Sequence, residues 1–287
     1  MKPGIDPKVD CVFKSILGKE ENKNLLIHFL NAVLEPEPGK RIREVVLENP
    51  FNEKDFIGDK LSVVDVKALD EKGNHYQIEI QMAIHPAITS RVLFTWSTIY
   101  QSQMKEGDFF GKLRPVISVW LVNGNLFPEE SDCHLSFHVQ DSAHCLVLTD
   151  HLQIHILQLP KWKTEKSAGT EKDRWLYLFR EGKNVDTENL PEILNTKEMR
   201  QVMKVMQGFS ENQRNYLLYQ SRLEAMYEYN TWQHEMETSR KRAEQAEKEK
   251  RQAEKEKRRA EKEKRRAEEK LRQMEALLRK KGIEIPK

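Results

Sequence analysis

Cysteine is scarce in this chain and poorly placed for structural work, with three residues, at positions 11, 133 and 145, among 287. An odd, widely spaced set gives no disulfide framework and no C-x2-C pair, and it suits a reducing, cytoplasmic setting. Long apolar runs are missing as well. Nowhere do about eighteen apolar residues follow one another, and the start, MKPGIDPKVD, has no apolar stretch of the kind a secretory signal needs. Neither a membrane span nor export is expected. Glycine-rich phosphate loops and a G-x-S-x-G elbow are also missing, which removes kinase, ATPase and α/β-hydrolase readings. Cys133, His134, His138, His144, Cys145, His151 and His155 crowd one region. That region reads as strands, in which residues i and i+4 stand about 13 Å apart. Such neighbours along a strand cannot share one ion, so zinc is not expected.

Net charge is small too, at +2, but it conceals a division. Between Arg240 and Lys281 there are 19 Lys and Arg against 10 Asp and Glu, leaving 29 against 36 for the rest. An acidic body thus carries a basic arm. Composition alone does not mark the body as a nucleic-acid binder. A metal-requiring phosphodiesterase can nevertheless be acidic overall, because its cations neutralise the site locally.

What the chain does contain is a stretch around which the rest can be organised, Leu61 to Met82, LSVVDVKALDEKGNHYQIEIQM. Two β-branched and aromatic runs flank turn-forming residues at Asp70-Glu71-Lys72-Gly73-Asn74, the pattern of a hairpin. In the second run Tyr76, Ile78, Ile80 and Met82 alternate with Gln77, Glu79 and Gln81. In the first, Val64, Val66 and Ala68 alternate with Val63, Asp65 and Lys67. A turn centred on Lys72 makes paired positions sum to about 144, which sets Asp65 opposite Glu79, with Lys67 and Gln81 on the same face. Carboxylates directly across a ladder repel unless a cation lies between them. Asp65 and Glu79 are therefore candidate ligands for a hard divalent cation; the competing reading is an ordinary solvated polar face.

The spacing D-x13-E-x-Q also carries a resemblance. The chain resembles the recombination-promoting nuclease (Rpn) family of transposase-related proteins, within the PD-(D/E)XK phosphodiesterase superfamily. DCVFKSILG, LLIHFLNAVL, an R-x-L-F-T-W helix ending in KEGD, VISVWLV and LQLPKW agree in order, over roughly residues 6 to 230. The resemblance implies a mixed α/β, restriction-endonuclease-like fold with an α-β-β-β-α-β core. It also implies Mg²⁺, with Mn²⁺ as an alternative, bound by Asp65 and Glu79. The superfamily usually has Lys where this chain has Gln81. A Gln can orient water but brings no positive charge. Lys67, on the same face by period, is one candidate for the missing cation and is equally readable as a snorkelling surface lysine. Asp10, opening D-x-x-F-K, lies near the active site by the resemblance and is equally readable as a helix N-cap.

Along the chain, Asp10 to Leu17 and Asn22 to Leu34 read as helices, the second stopped by Glu35-Pro36-Glu37-Pro38-Gly39. Ile42 to Glu48 reads as a short strand, Asn49 to Lys60 as a polar loop, and Thr89 to Lys105 as an amphipathic helix. Pro115 to Val122 has the composition of a strand buried on both faces. Strands around His134 to Val139 and Leu152 to Leu159 come next. From Lys172 to Trp232 apolar residues recur at helical spacing, and the Met and aromatic stripe reads as core.

The tail repeats AEKEKRQ, AEKEKRR, AEKEKRR and AEEKLRQ from Ala246. A seven-residue period suggests a coiled coil, yet a single alanine per heptad makes a poor seam. Pairs such as Glu247 with Arg251 favour a solvated helix that projects from the body. Self-association aided by Leu271, Met274, Leu277 and Leu278, and phosphate contact by the basic surplus, are the other uses it offers. The organisation expected is a nuclease domain over 1–165, a helical extension over 166–232 and a charged helix over 233–287. The function expected is a metal-dependent DNA endonuclease linked to recombination or mobile elements. A DNA-associated or structural protein with a degenerate nuclease fold is the alternative, since Gln81 departs from the superfamily's lysine.

Overall fold

The structure is a computed structural model and describes residues 4–49, 65–82, 84–164, 169–186 and 189–280. For residues 65, 275 and 277–280 it describes the backbone alone. Val63, Val64 and the polar stretch up to Lys60 lie outside the described residues, apart from Asn49.

The order of elements is α1 (Asp10–Leu17), α2 (Lys23–Leu34), β1 (Val45–Leu47), β2 (Asp65–Asp70), β3 (His75–Gln81), α3 (Ile88–Ser102) and β4 (Val116–Val122). After these come β5 (His134–Asp141), β6 (Leu146–Gln158), α4 (Glu171–Glu181), α5 (Lys197–Glu211) and α6 (Gln213–Lys280). The helix-strand-strand-strand-helix-strand sequence expected of a restriction-endonuclease-like core is present. Six strands form one mixed sheet, in the order β1-β2-β3-β4-β6-β5. β1, β2 and β3 are antiparallel neighbours, whereas β3–β4 and β4–β6 are parallel. The chain between β3 and β4 supplies α3 as the crossover that a parallel pair requires.

The hairpin between β2 and β3 is built by one carboxylate. Asp70 Oδ1 accepts the N–H groups of Lys72 (2.8 Å) and Asn74 (2.9 Å). Its Oδ2 accepts from Asn74 Nδ2 (2.8 Å) and the Tyr76 hydroxyl (2.9 Å). Gly73 sits at φ +79, a conformation that side chains disfavour. With the turn fixed, β2 and β3 pair as Asp65↔Glu79, Val66↔Ile78 and Lys67↔Gln77, the register expected from a turn centred on Lys72. A one-residue slip would send every side chain to the opposite face. Turn chemistry thus decides which residues meet in the ladder.

Both faces of the central sheet are covered. On one, Val66, Ala68, Tyr76, Ile78, Ile80, Ile117, Val119 and Leu121 pack against α1, α2, α4 and α5 in a large apolar cluster. On the other, Trp120, Val122, Ile154 and Ile156 meet Ile88 and Val92 of α3. β4 is buried along its whole length, as a strand covered on both sides should be. The helices after the sheet share the large cluster. Trp175, Leu178, Phe179, Met199, Val202 and Met206 are buried in it beside Phe13 and Phe29. Thr170 and Asp173 form a capping box that starts α4, and the Thr196 side chain accepts from Met199 to start α5.

The chain divides into two compact units, Met1–Tyr227 and Glu228–Lys287. In the second, α6 continues as helix to Lys280, and every described side chain from Ser239 to Met274 is exposed. The expected Glu247–Arg251 pair forms at 2.8 Å. Among the described residues no helix is long and apolar enough to cross a membrane.

Candidate nuclease site

Glu79 stands in the middle of β3, and its surroundings follow from the two ladders that flank it. Toward β2 its Cα partner is Asp65; toward β4 it is Trp120. Two residues earlier, Gln77 pairs with Lys67 on one side and Ser118 on the other. The alternation of Gln77, Glu79 and Gln81 with apolar residues was legible in the sequence. A solvated polar face, however, is not what the fold makes of it, because Gln77 and Glu79 are each 1% exposed.

A carboxylate so buried needs partners for its charge. Glu79 Oε1 accepts from Gln77 Nε2 at 2.7 Å, and Oε2 accepts from an Arg91 guanidinium nitrogen at 3.0 Å. The same guanidinium donates through its other terminal nitrogen to Gln81 Oε1 at 3.0 Å. Its carbon lies 5.6 Å from the centre of the Trp120 ring, within cation–π range. Trp120 is fixed in turn, since its indole N–H donates to Ser118 Oγ at 2.8 Å. Arg91 therefore clamps the first and third residues of the E-x-Q motif with one planar group.

Arg91 comes from α3, whose placement follows from its apolar spacing. Ile88, Val92 and Ile99 are buried, and the Trp96 indole donates to the Val116 carbonyl at 2.9 Å. These anchor α3 along its length, and Arg91, next to Val92, is delivered to Glu79. Its side chain is 39% exposed, so part of it reaches solvent.

The remaining expected residues are distributed as follows. Asp65 opens β2 opposite Glu79. Lys67 is half-buried in the same strand, and its backbone N–H donates to Asn49 Oδ1 at 2.7 Å. Asp10 is the first residue of α1, with Val9 at the N-cap position. Its Oδ1 accepts the Cys11 N–H at 2.7 Å, and its Oδ2 lies 3.8 Å from Arg222 Nε on α6. Burial raises the Asp10 carboxyl above the usual range, while the Arg222 charge opposes the rise. Among the described residues no group of three or more His, Cys, Asp or Glu could hold a metal ion. The Asp65 side chain is outside that set.

Sequence reasoning passed over Arg91, Gln77, Ser118 and Trp120. A signal was available. VISVWLV is apolar throughout, so the strand beside E-x-Q had to be covered, and a covered Glu calls for a cation from whatever covers it.

The histidines expected to be too far apart along a strand meet across two strands instead. His134 Nε2 and His155 Nδ1 are 3.0 Å apart, with Lys172 Nζ 3.5 Å from His134 Nδ1 and paired to Glu35 at 2.8 Å. Burial, then the Lys172 charge, lowers His134 to about 4. Burial, then the neighbouring His134, His138 and Lys172 charges, lowers His155 to about 3. Unfolded histidine titrates near 6.5, so on acidification the unfolded chain takes up protons that the folded chain refuses. Their stabilisation is complete above that value and is lost as pH falls toward the folded values. The urea midpoint should therefore decline between about pH 6.5 and 5, above most carboxylate titration. His155→Leu should flatten that decline; an unchanged slope would show that the pair does not control it.

The profile of a family described as PD-(D/E)XK nuclease family transposase matches residues 7–236. None of the curated proteins and none of the solved structures matches the chain.

Proposed function

Because the chain belongs to the PD-(D/E)XK nuclease family of transposases, we propose that it is a metal-dependent endonuclease hydrolysing phosphodiester bonds in DNA. Recombination or the movement of genetic elements is the setting that this family suggests. The observation that carries the reading is the direct pairing of Asp65 with Glu79 between β2 and β3, with Glu79 buried beside the covered strand β4. Two acidic residues opposed in a ladder repel, and Arg91 brings one positive charge to the pair, so a divalent cation would balance what remains.

The donor set fits such a cation. Asp65 and Glu79 bring carboxylates from adjacent strands, and the Gln81 amide adds a neutral oxygen at the end of β3. All-oxygen donors suit Mg²⁺, with Mn²⁺ as the alternative. Asp65 and Glu79 would hold the ion, which when bound polarises a phosphoryl oxygen and acidifies water. The chain's own residues perform the positioning. Gln77 and Arg91 hold the Glu79 carboxylate in one orientation. Gln81 presents its amide at the end of β3 and orients water there, while Lys67 lends positive charge from β2.

The other reading, a DNA-associated protein without catalysis, draws on Gln81 where the superfamily usually has lysine. Purified protein with supercoiled plasmid and Mg²⁺ separates the two. The expected result is nicking or linearisation by the wild-type chain and none by Asp65→Ala. Equal cleavage by the variant, or no cleavage by either, defeats the enzyme.

A further inference from the structure

Gln81 takes away the positive charge that a lysine would bring to the end of β3, and the fold returns one from another element. We propose that Arg91 is the phosphate-binding cation of this site, directing the solvent-facing side of its guanidinium to a DNA phosphate while Glu79 and Gln81 grip the other side. This rests on the nuclease reading of the same ladder.

Three observations carry it. First, the two bonds to Glu79 and Gln81, both 3.0 Å, use one proton from each terminal nitrogen, which leaves further N–H groups of the same plane for an acceptor. Second, the side chain is 39% exposed while its carboxylate partner is 1% exposed. A counter-ion sealed in with its carboxylate would share its burial; this one keeps part of its side chain in solvent, where a ligand can reach it. Third, the Trp120 ring and the anchored helix α3 hold the guanidinium in place before any ligand arrives. A planar, preorganised fork suits the tetrahedral oxygens of phosphate better than a mobile ammonium does. Gln81 thereby acquires a positioning role: its amide oxygen fixes the donor that its own side chain cannot be.

The test uses the full chain and two readouts, one of which needs no metal. Binding of a fluorescent DNA duplex is titrated in EDTA at several salt concentrations, and single-turnover plasmid cleavage is timed in Mg²⁺. Arg91→Gln should make the slope of log affinity against log salt shallower by about 0.9, one phosphate contact. It should also slow cleavage by about 100-fold or more. Adding Gln81→Lys to Arg91→Gln should restore both, since the charge returns at the position two residues beyond Glu79. Should Arg91→Gln fail to fold because Glu79 has lost its partner, the slope is compared between Glu79→Gln and Glu79→Gln/Arg91→Gln, where no buried charge is left alone. An unchanged slope, whether against a wild-type chain that binds and cuts or against a Glu79→Gln chain that binds, makes Arg91 a counter-ion only and overturns the proposal. Absence of rescue by Gln81→Lys overturns the exchange of roles. If the wild-type chain neither binds duplex nor cuts, the nuclease reading falls and this proposal falls with it.

Discussion

Glu79→Gln should fold like the wild-type chain and lose metal-dependent cleavage by more than about 100-fold, beyond what supporting residues of a metal site usually cost. The replacement keeps shape and one acceptor but removes the charge. Its amide oxygen can still accept from Arg91, whose ion pair with Glu79 is 3.0 Å long. Gln77, which now donates to the other carboxylate oxygen at 2.7 Å, can flip its own amide to meet the new NH₂ group. The flip gives up the long 3.5 Å bond that the Ser118 hydroxyl donates to the Gln77 amide oxygen, a small loss beside the bonds that are kept, so the circular dichroism spectrum should be unchanged. Glu79→Ala differs: Arg91 and Gln77 both lose an acceptor, at a cost of about 1–3 kcal/mol. Wild-type cleavage rates in Glu79→Gln would remove Glu79 from the chemistry. Loss of fold in the same variant would mean that the charge itself holds α3 to the sheet.

Trp175→Ala should be the most damaging single truncation in the body, destabilising it by about 3–5 kcal/mol. The ring is 1% exposed. It meets Phe29 edge-on at 5.3 Å and stacks near Phe179 at 5.9 Å. Its indole N–H donates to His28 Nδ1 at 2.9 Å, so truncation also orphans a partly buried imidazole. Expected is a lower urea midpoint with the same dependence on denaturant, the sign of lost stability without a changed unfolded state. Trp232, 54% exposed, is the control, and its truncation should stay within about 0.5 kcal/mol. A negligible effect at Trp175 would mean that α4 does not belong to the cluster that holds α1 and α2.

The hairpin was legible because its determinants are local. A five-residue turn, one carboxylate suited to organise it and two alternating runs fix the register without reference to the rest of the chain. Asp65 opposite Glu79 follows from counting. Helix α2 ends at Leu34 for an equally local reason: Glu35 adopts φ 45 and Pro36 cannot continue the helix. What surrounds the ladder was harder to read. Alternation in β3 marks two faces but not what covers them, so the solvated polar face that the pattern also allowed gave way to a Glu79 buried beside an arginine. Arg91 is separated from Glu79 by a loop and a helix start, and nothing in the periodicity of α3 distinguishes it from a surface cation.

The β5–β6 hairpin shows a similar limit. β6 begins at Leu146, six residues before the strand expected from Leu152. Asp141 accepts from the Ala143 and His144 N–H groups and Cys145 sits at φ 54, closing a turn that the sequence did not announce. Leu146, Val147 and Leu148 are exposed, so the cue of burial was absent from the start of the strand. The His134–His155 contact depends on that pairing, since a separation along one strand cannot reveal a neighbour on the next.

The most direct examination of the ladder as a cation site is a titration with Mn²⁺, followed by loss of the free-ion electron paramagnetic resonance signal. One ion bound per wild-type chain, displaced by excess Mg²⁺ and absent from both Asp65→Ala and Glu79→Gln, is the expected outcome. Retention of the ion by either variant, or no binding by a folded wild-type chain, would mean that Asp65 and Glu79 face each other for some purpose other than metal.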